Sequence, residues 1–229
     1  MNRRLRCILS HIPDGVGMID VGTDHGYLPL ELLQSGYGGN VFASDINPGP
    51  LQAAKRSFRD AGLASRATFL LCDGLELCPP REIDCIVIAG MGGDSICGIL
   101  DRAEWCMDPN YTLVLQPMTR AEVLRYWLIY NEFEITGEDL VEDRGTVYPV
   151  LTARFGGHTA LCDAELYTGA LEMIRPLELG EKLLDTETSR FERVLDGLSR
   201  SAKDEDRSRE KLLREILSQL REMKARWQV

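Results

Sequence analysis

Four short segments of this 229-residue chain combine carboxylates with glycines in a way that suits holding a small ligand. The first, Asp20-Val-Gly-Thr-Asp-His-Gly26, closes an apolar run and carries Gly22 and Gly26, where a ligand can approach the backbone with no Cβ in the way. The second, Ser44-Asp-Ile46, places Asp45 about 25 residues after Asp20, the spacing at which nucleotide folds set an acid against ribose hydroxyls. The third, Cys72-Asp-Gly74, offers Asp73 to the exocyclic amine of adenine, with Gly74 letting the ring lie flat. The fourth, Ala89-Gly-Met-Gly-Gly93, reads as a glycine loop directly after an apolar strand, passing close to a ligand's reactive end.

These segments converge only if the elements before them are parallel strands. Apolar runs at Gly17–Val21, Val41–Ser44, Thr68–Cys72, Asp84–Ala89 and Thr112–Gln116 read as strands. Helical stretches at Leu28–Gln34, Gly49–Ala61, Asp94–Arg102 and Arg120–Asn131 alternate with them. Alternating βαβα predicts an α/β fold with a mostly parallel sheet, whose ligands bind outside the carboxyl ends of the strands. Phe133–Val141 and Thr146–Phe155 then read as a hairpin around Glu142-Asp-Arg-Gly145. A parallel sheet ending in an antiparallel hairpin resembles the class I methyltransferase (Rossmann-type) fold. Before it all, Arg3–Ile12 reads as a short amphipathic helix.

The domain boundary is expected at Gly156-Gly-His158, giving a ligand-binding domain over 1–157 and a helical one over 158–229. Asp163–Ile174, Glu181–Leu198 and Asp204–Arg226 have helical periodicity, with Pro176 interrupting the first gap. The last two, joined around Ser199–Lys203, predict an antiparallel coiled-coil-like hairpin, or a helical unit packed on the sheet.

Composition narrows the classes. The net charge is −10, but Arg200 to Arg226 holds nine basic against six acidic residues, and Arg3, Arg4 and Arg6 form a second basic patch. A nucleic-acid partner would have to use such local faces. The seven cysteines are scattered without a Cys-x-x-Cys pair, so neither disulfides nor a metal is expected, and the chain reads as a reduced cytoplasmic protein. No apolar run is membrane-length, and the basic start lacks the apolar stretch of a signal peptide. A monomer is favoured.

The first loop lacks the Gly-x-Gly-x-x-Gly pattern and puts Asp24 where a pyrophosphate would be crowded. That carboxylate suits a zwitterionic methionine tail, so S-adenosyl-L-methionine fits better than a nicotinamide dinucleotide. Asp20, Gly22, Gly26, Asp45, Ile46, Asp73, Gly74, Ala89, Gly90 and Met91 are the cofactor candidates.

At this point a family resemblance becomes specific. Asp20-Val-Gly-Thr-Asp-His-Gly-Tyr-Leu-Pro29, Asp73-Gly-Leu75, Ile88-Ala-Gly-Met-Gly-Gly93, Leu115-Gln-Pro117 and Leu124-Arg-Tyr-Trp-Leu128 resemble the bacterial TrmK family over nearly the whole chain. Thr23, Gly26, Met118 and Ser44-Asp-Ile46 depart from the family's more usual residues. The resemblance implies methylation of tRNA at N1 of adenine 22. It makes Asp24, His25 and Tyr27 the catalytic candidates, with Gly92, Gly93, Gln116 and Pro117 lining the base pocket. Arg3, Arg4 and the basic helical hairpin are candidates for phosphates, or for a solvated face paired with Asp204, Glu210, Glu215 and Glu222. Competing functions are a methyltransferase with a small-molecule or protein substrate and a non-catalytic S-adenosylmethionine-binding module.

Overall fold

The structure is a computed structural model and describes residues 3–199 and 205–227. Strands β1 (Met18–Val21), β2 (Val41–Asp45), β3 (Ala67–Leu71), β4 (Cys85–Gly92), β5 (Thr112–Thr119), β6 (Phe133–Asp143) and β7 (Thr146–Phe155) form one sheet in the order β3-β2-β1-β4-β5-β7-β6. The first five are parallel, and β7 runs antiparallel to both β5 and β6. The chain builds outward from β1 in one direction, then returns to β4 and builds the other way. The strand order reverses between β1 and β4, which is where open α/β sheets take ligands.

Helices α1 (Arg3–Ser10), α2 (Tyr27–Gln34) and α3 (Pro48–Asp60) cover one face, with Ile8, Leu32 and Phe58 packed on Met18, Val87 and Val114. Helices α4 (Gly93–Asp101) and α5 (Ala121–Tyr130) cover the other, with Ile96, Leu100, Leu124 and Leu128 against Ile19, Ile86 and Leu113. Central strands buried on both faces need near-continuous apolar sequence, and Cys85–Ile88 supplies it. Helix α1 ends at Ser10, before the expected Ile12, because Pro13 disfavours helical backbone at the residue ahead of it.

Two expectations need correction. Ala89–Gly92 is strand, not loop: β4 stays paired with β5 as far as Gly92↔Thr119, with register shifts between Ala89, Met91 and Gly92. Gly90, at φ +80°, makes the shift, so the segment is a bulged strand end. Asp163–Ile174 is two helices, α6 (Asp163–Thr168) and α7 (Leu171–Ile174). The break falls at Gly169, where φ is +90° and a Cβ would lie 2.5 Å from the Glu138 carboxylate.

That carboxylate marks the seam between sheet and helical unit. Arg125 of α5 and Glu138 of β6 form an ion pair with both side chains inaccessible to solvent, and Arg125 also donates to the Leu166 carbonyl of α6 at 2.7 Å. Helices α8 (Gly180–Ser199) and α9 (Glu205–Trp227) lie antiparallel, with ion pairs Lys224–Asp185 and Arg221–Glu192 across them. Leu184, Phe191, Ile216, Leu220 and Met223 share a core with Leu140 of β6. The helical unit thus packs on the hairpin. The join expected around Ser199–Lys203 and the Arg207 side chain lie outside the described residues. Among the described residues, no helix is long and apolar enough to cross a membrane.

Candidate active site

A cavity of about 670 Å³ opens at the carboxyl ends of the parallel strands. Its wall carries four carboxylates, Asp20, Asp24, Asp45 and Asp73, and one basic side chain, Arg4.

The first loop is shaped by β2. The Gly22 and Thr23 N–H groups both donate to the Ser44 carbonyl, at 2.8 and 3.0 Å, which folds the chain sharply back after β1. Gly22 sits at φ +73°, and a Cβ there would come within 2.2 Å of the Met91 methyl group. Gly26 also has positive φ, but it faces away from the cavity: its missing Cβ makes room for Ala54 and Phe58 of α3. It shapes the loop and, unlike Gly22, is not on the cavity wall. The turn leaves Asp24 and Tyr27 on the cavity wall. Tyr27 is 56% exposed, and its ring stacks on His25 with centroids 5.5 Å apart. His25 lies beside the cavity, its Nε2 3.5 Å from Asp24 Oδ1, with backbone φ of +61°.

Asp20 is deeply buried at the end of β1. Burial pushes its carboxyl up to about 6, Thr23 hydroxyl partly offsets this, and neighbouring Asp45 adds to it. In the unfolded chain the value is near 3.8, so between these values the folded state holds the extra proton. Stability from this group is therefore lost as pH rises through about 6, by roughly 3 kcal/mol in full. Comparing urea midpoints of the ligand-free parent and Asp20→Asn between pH 5 and 7.5 checks this. The parent is expected to lose stability relative to the variant as pH rises; parallel curves would contradict it.

Asp45 accepts the Asn47 N–H at 2.8 Å, fixing one carboxylate oxygen in a local turn. Ser44 donates to the Gly74 carbonyl at 3.0 Å and so ties the second and third loops together. Ile46, 61% exposed, and Ile99 give this end an apolar lining beside Gly74. Asp73 also lines the cavity, but Arg102 binds its carboxylate at 2.9 Å, so any amine it receives shares that oxygen pair with a guanidinium.

Ala89, Gly90, Met91 and Gln116 form the opposite wall. Gln116 is fully buried; its Oε1 accepts the Gly90 N–H at 3.2 Å and its Nε2 donates to the Pro117 carbonyl at 2.9 Å. The bulge in β4 is thus held by a β5 side chain. Gly92, Gly93 and Pro117 do not reach the cavity. Gly93 instead starts α4, where a Cβ would meet the Arg120 carbonyl at 2.1 Å. Arg3 is exposed and away from the wall. Arg4 is on it and donates to Met118 Sδ at 2.8 Å.

Leu5 and Ile8 of α1, together with Thr23, Ser44, Asn47 and Ile99, also line the cavity, beyond the residues that the sequence points to. An amphipathic helix signals only that its apolar face is covered. Ser44 alone had a cue, since a small hydroxyl beside Asp45 at a strand end suits binding a neighbouring loop.

A family described as a methyltransferase domain matches residues 1–151. The tRNA (adenine(22)-N(1))-methyltransferase of Bacillus subtilis is 35% identical over 163 residues, covering 71% of this chain and 68% of that one. The crystal structure of the B. subtilis m1A22 tRNA methyltransferase TrmK superposes with a TM-score of 0.87 at 29% identity, over 97% of this chain and 98% of that one. Streptococcus pneumoniae Sp1610 in complex with S-adenosyl-L-methionine gives 0.77 at 26% identity, over 97% and 99%. With its fold, its cavity and its loop sequences in agreement, the chain belongs to the TrmK family of tRNA (adenine-22 N1)-methyltransferases.

Proposed function

We propose that this chain transfers a methyl group from S-adenosyl-L-methionine to N1 of adenine 22 in tRNA. The observation that carries the reading is the charge of the cavity: four carboxylates against one arginine suit a cationic ligand and disfavour a pyrophosphate. Asp20 is buried, so desolvation disfavours its charge, and an ammonium reaching it would stabilise the carboxylate. Asp45 has acceptor capacity for ribose hydroxyls, and Ile46, Gly74 and Ile99 flank a flat ring.

When bound, the cofactor supplies an electrophilic methyl group on a sulfonium. Adenine N1 has an in-plane lone pair and needs no base to attack; the C–S bond breaks as the N–C bond forms, leaving a neutral thioether and a cationic adenine. The chain's task is positioning, with reacting atoms about 3–3.5 Å apart, and stabilising charge on the purine. Asp24 at the rim is placed to face the exocyclic amine, and the Tyr27 ring to stack on the base. A base taken from a stack costs a few kcal/mol, which contacts outside the cavity must offset. Arg4 is the phosphate candidate nearest the site, and it too has a carboxylate close by, Asp143 at 4.0 Å. The helical hairpin is a weaker one: Lys211, Arg214, Arg221, Lys224 and Arg226 all stand in ion pairs with Glu215, Glu210, Glu192, Asp185 and Glu172. Action as a monomer on tRNA in the cytoplasm completes the proposed reading.

Incubating the protein with methyl-labelled cofactor and unmodified bulk tRNA tests the reading. Label recovered as 1-methyladenosine supports it; cofactor binding with no label in tRNA would sink it, and would favour a small-molecule or protein substrate.

A further inference from the structure

Away from the cavity mouth, where α1 meets β6, three side chains are brought together that the proposed methyl transfer does not use. Cys7 and His11 stand one helical turn apart near the end of α1, and Asp139 faces them from β6. One ligand atom from each lies within 4.8 Å of the other two. His11 Nδ1 is engaged with Thr152 Oγ1 at 2.9 Å, while Nε2 is buried with no hydrogen-bond partner and points to Asp139 Oδ2 at 3.8 Å. The other oxygen of Asp139 accepts the Leu140 N–H at 2.9 Å.

That division of labour is what a metal site requires. Imidazole and carboxylate are each oriented by an outer hydrogen bond, and each turns its remaining atom inward. Ligand atoms around a tetrahedral zinc stand about 3.3–3.8 Å apart, so the 3.8 Å nitrogen–oxygen spacing must close by a few tenths of an ångström, and the thiol, within 4.8 Å of both, by up to about one. The nitrogen–oxygen spacing is too long for a hydrogen bond and leaves an ion pair with a protonated imidazole as the metal-free reading. We propose that Cys7, His11 and Asp139 bind one zinc-class divalent cation through Sγ, Nε2 and Oδ2, with water completing the tetrahedron on the exposed side of Asp139.

The same residues do not form a hydrolytic triad, because the second ring nitrogen of His11 goes to Thr152 and not to the thiol or the carboxylate. Burial, with Asp139 nearby, pushes the Cys7 thiol up to about 11, unlike a poised nucleophile; a cation binding there releases its proton. The cysteine spacing gave no warning, since two ligands come from one helix turn and the third from a strand far along the chain. Helix α1 also carries Arg4, Leu5 and Ile8 on the cavity wall, so a cation joining α1 to β6 would fix that wall in place. The site stands independently of the proposed methyl transfer.

The test is titration of the full-length, metal-free protein with Co²⁺, read by absorption. One equivalent is expected to give the near-ultraviolet thiolate-to-cobalt charge-transfer band and intense tetrahedral visible bands. Cys7→Ser should abolish the charge-transfer band with six other cysteines still present. Asp139→Asn, isosteric at a partly exposed position, should weaken binding by more than the roughly 10–100-fold cost of losing an outer partner; it keeps the test decisive if Cys7→Ser does not fold. Absence of the band in the parent, or unchanged Co²⁺ binding in Asp139→Asn, would overturn the proposal.

Discussion

Asp24→Asn is expected to lower turnover roughly 10²–10³-fold while S-adenosyl-L-methionine affinity stays close to the parent's. The side chain stands at the rim of the cavity and is 76% exposed, so in the free protein water screens it. A docked base displaces that water, and the carboxylate then faces a purine that gains a positive charge during transfer. An amide in its place keeps the shape and one acceptor but loses the charge, so the loss falls on the transition state and not on ground-state binding. His25 Nε2 lies 3.5 Å from Asp24 Oδ1, and its ring stacks on Tyr27. Equilibrium dialysis with labelled cofactor, run beside single-turnover kinetics, separates the two effects. If affinity falls as steeply as turnover, Asp24 binds the methionine end of the cofactor instead.

Arg125→Met is expected to cost about 3–5 kcal/mol of folding stability, read as a lowered urea midpoint. It strips the partner from Glu138, whose carboxyl is already held up by burial against the pull of Arg125, and it leaves the Leu166 carbonyl without its donor. Without the guanidinium, Glu138 is expected to take a proton on folding, so the variant's deficit should shrink as pH falls from neutrality. Arg125→Met combined with Glu138→Leu should regain much of the loss, since an apolar pair of similar volume replaces a buried ion pair well. A deficit under about 1 kcal/mol, the level of a surface ion pair, would contradict the role given to the pair in joining α5, β6 and α6.

The parallel core was legible because strands buried on both faces must be apolar throughout, and the helices between them repeat every three to four residues. Its edges were less so. Ala89–Gly92 looked like a loop because glycines lower strand propensity, yet neighbouring β5 supplied the pairing, and Gln116 held the bulge. Gly169 looked like an ordinary interior glycine, since the reason for it, the Glu138 carboxylate, lies in a distant strand. Arg125 was invisible for a related reason: a lone arginine on an apolar helix face declares itself only when its partner and carbonyl are in place. At the site, the four acids were found because each ends a strand or opens the loop after one. Gly26 and Gly93 were assigned to ligands because a glycine's sequence position does not say whether its missing side chain makes room for a ligand or for the protein itself. Cys7, His11 and Asp139 were dispersed among elements whose contact only the fold reveals.

A cavity that binds a cationic cofactor in this family should methylate one adenine nitrogen in tRNA. The most direct measurement is single-turnover transfer of labelled methyl from S-adenosyl-L-methionine to two tRNA transcripts that differ only at position 22, adenine in one and guanine in the other. The account predicts that label enters the adenine transcript alone and is recovered as 1-methyladenosine at that position. Equal labelling of both transcripts, or of neither while the cofactor is bound, would contradict it.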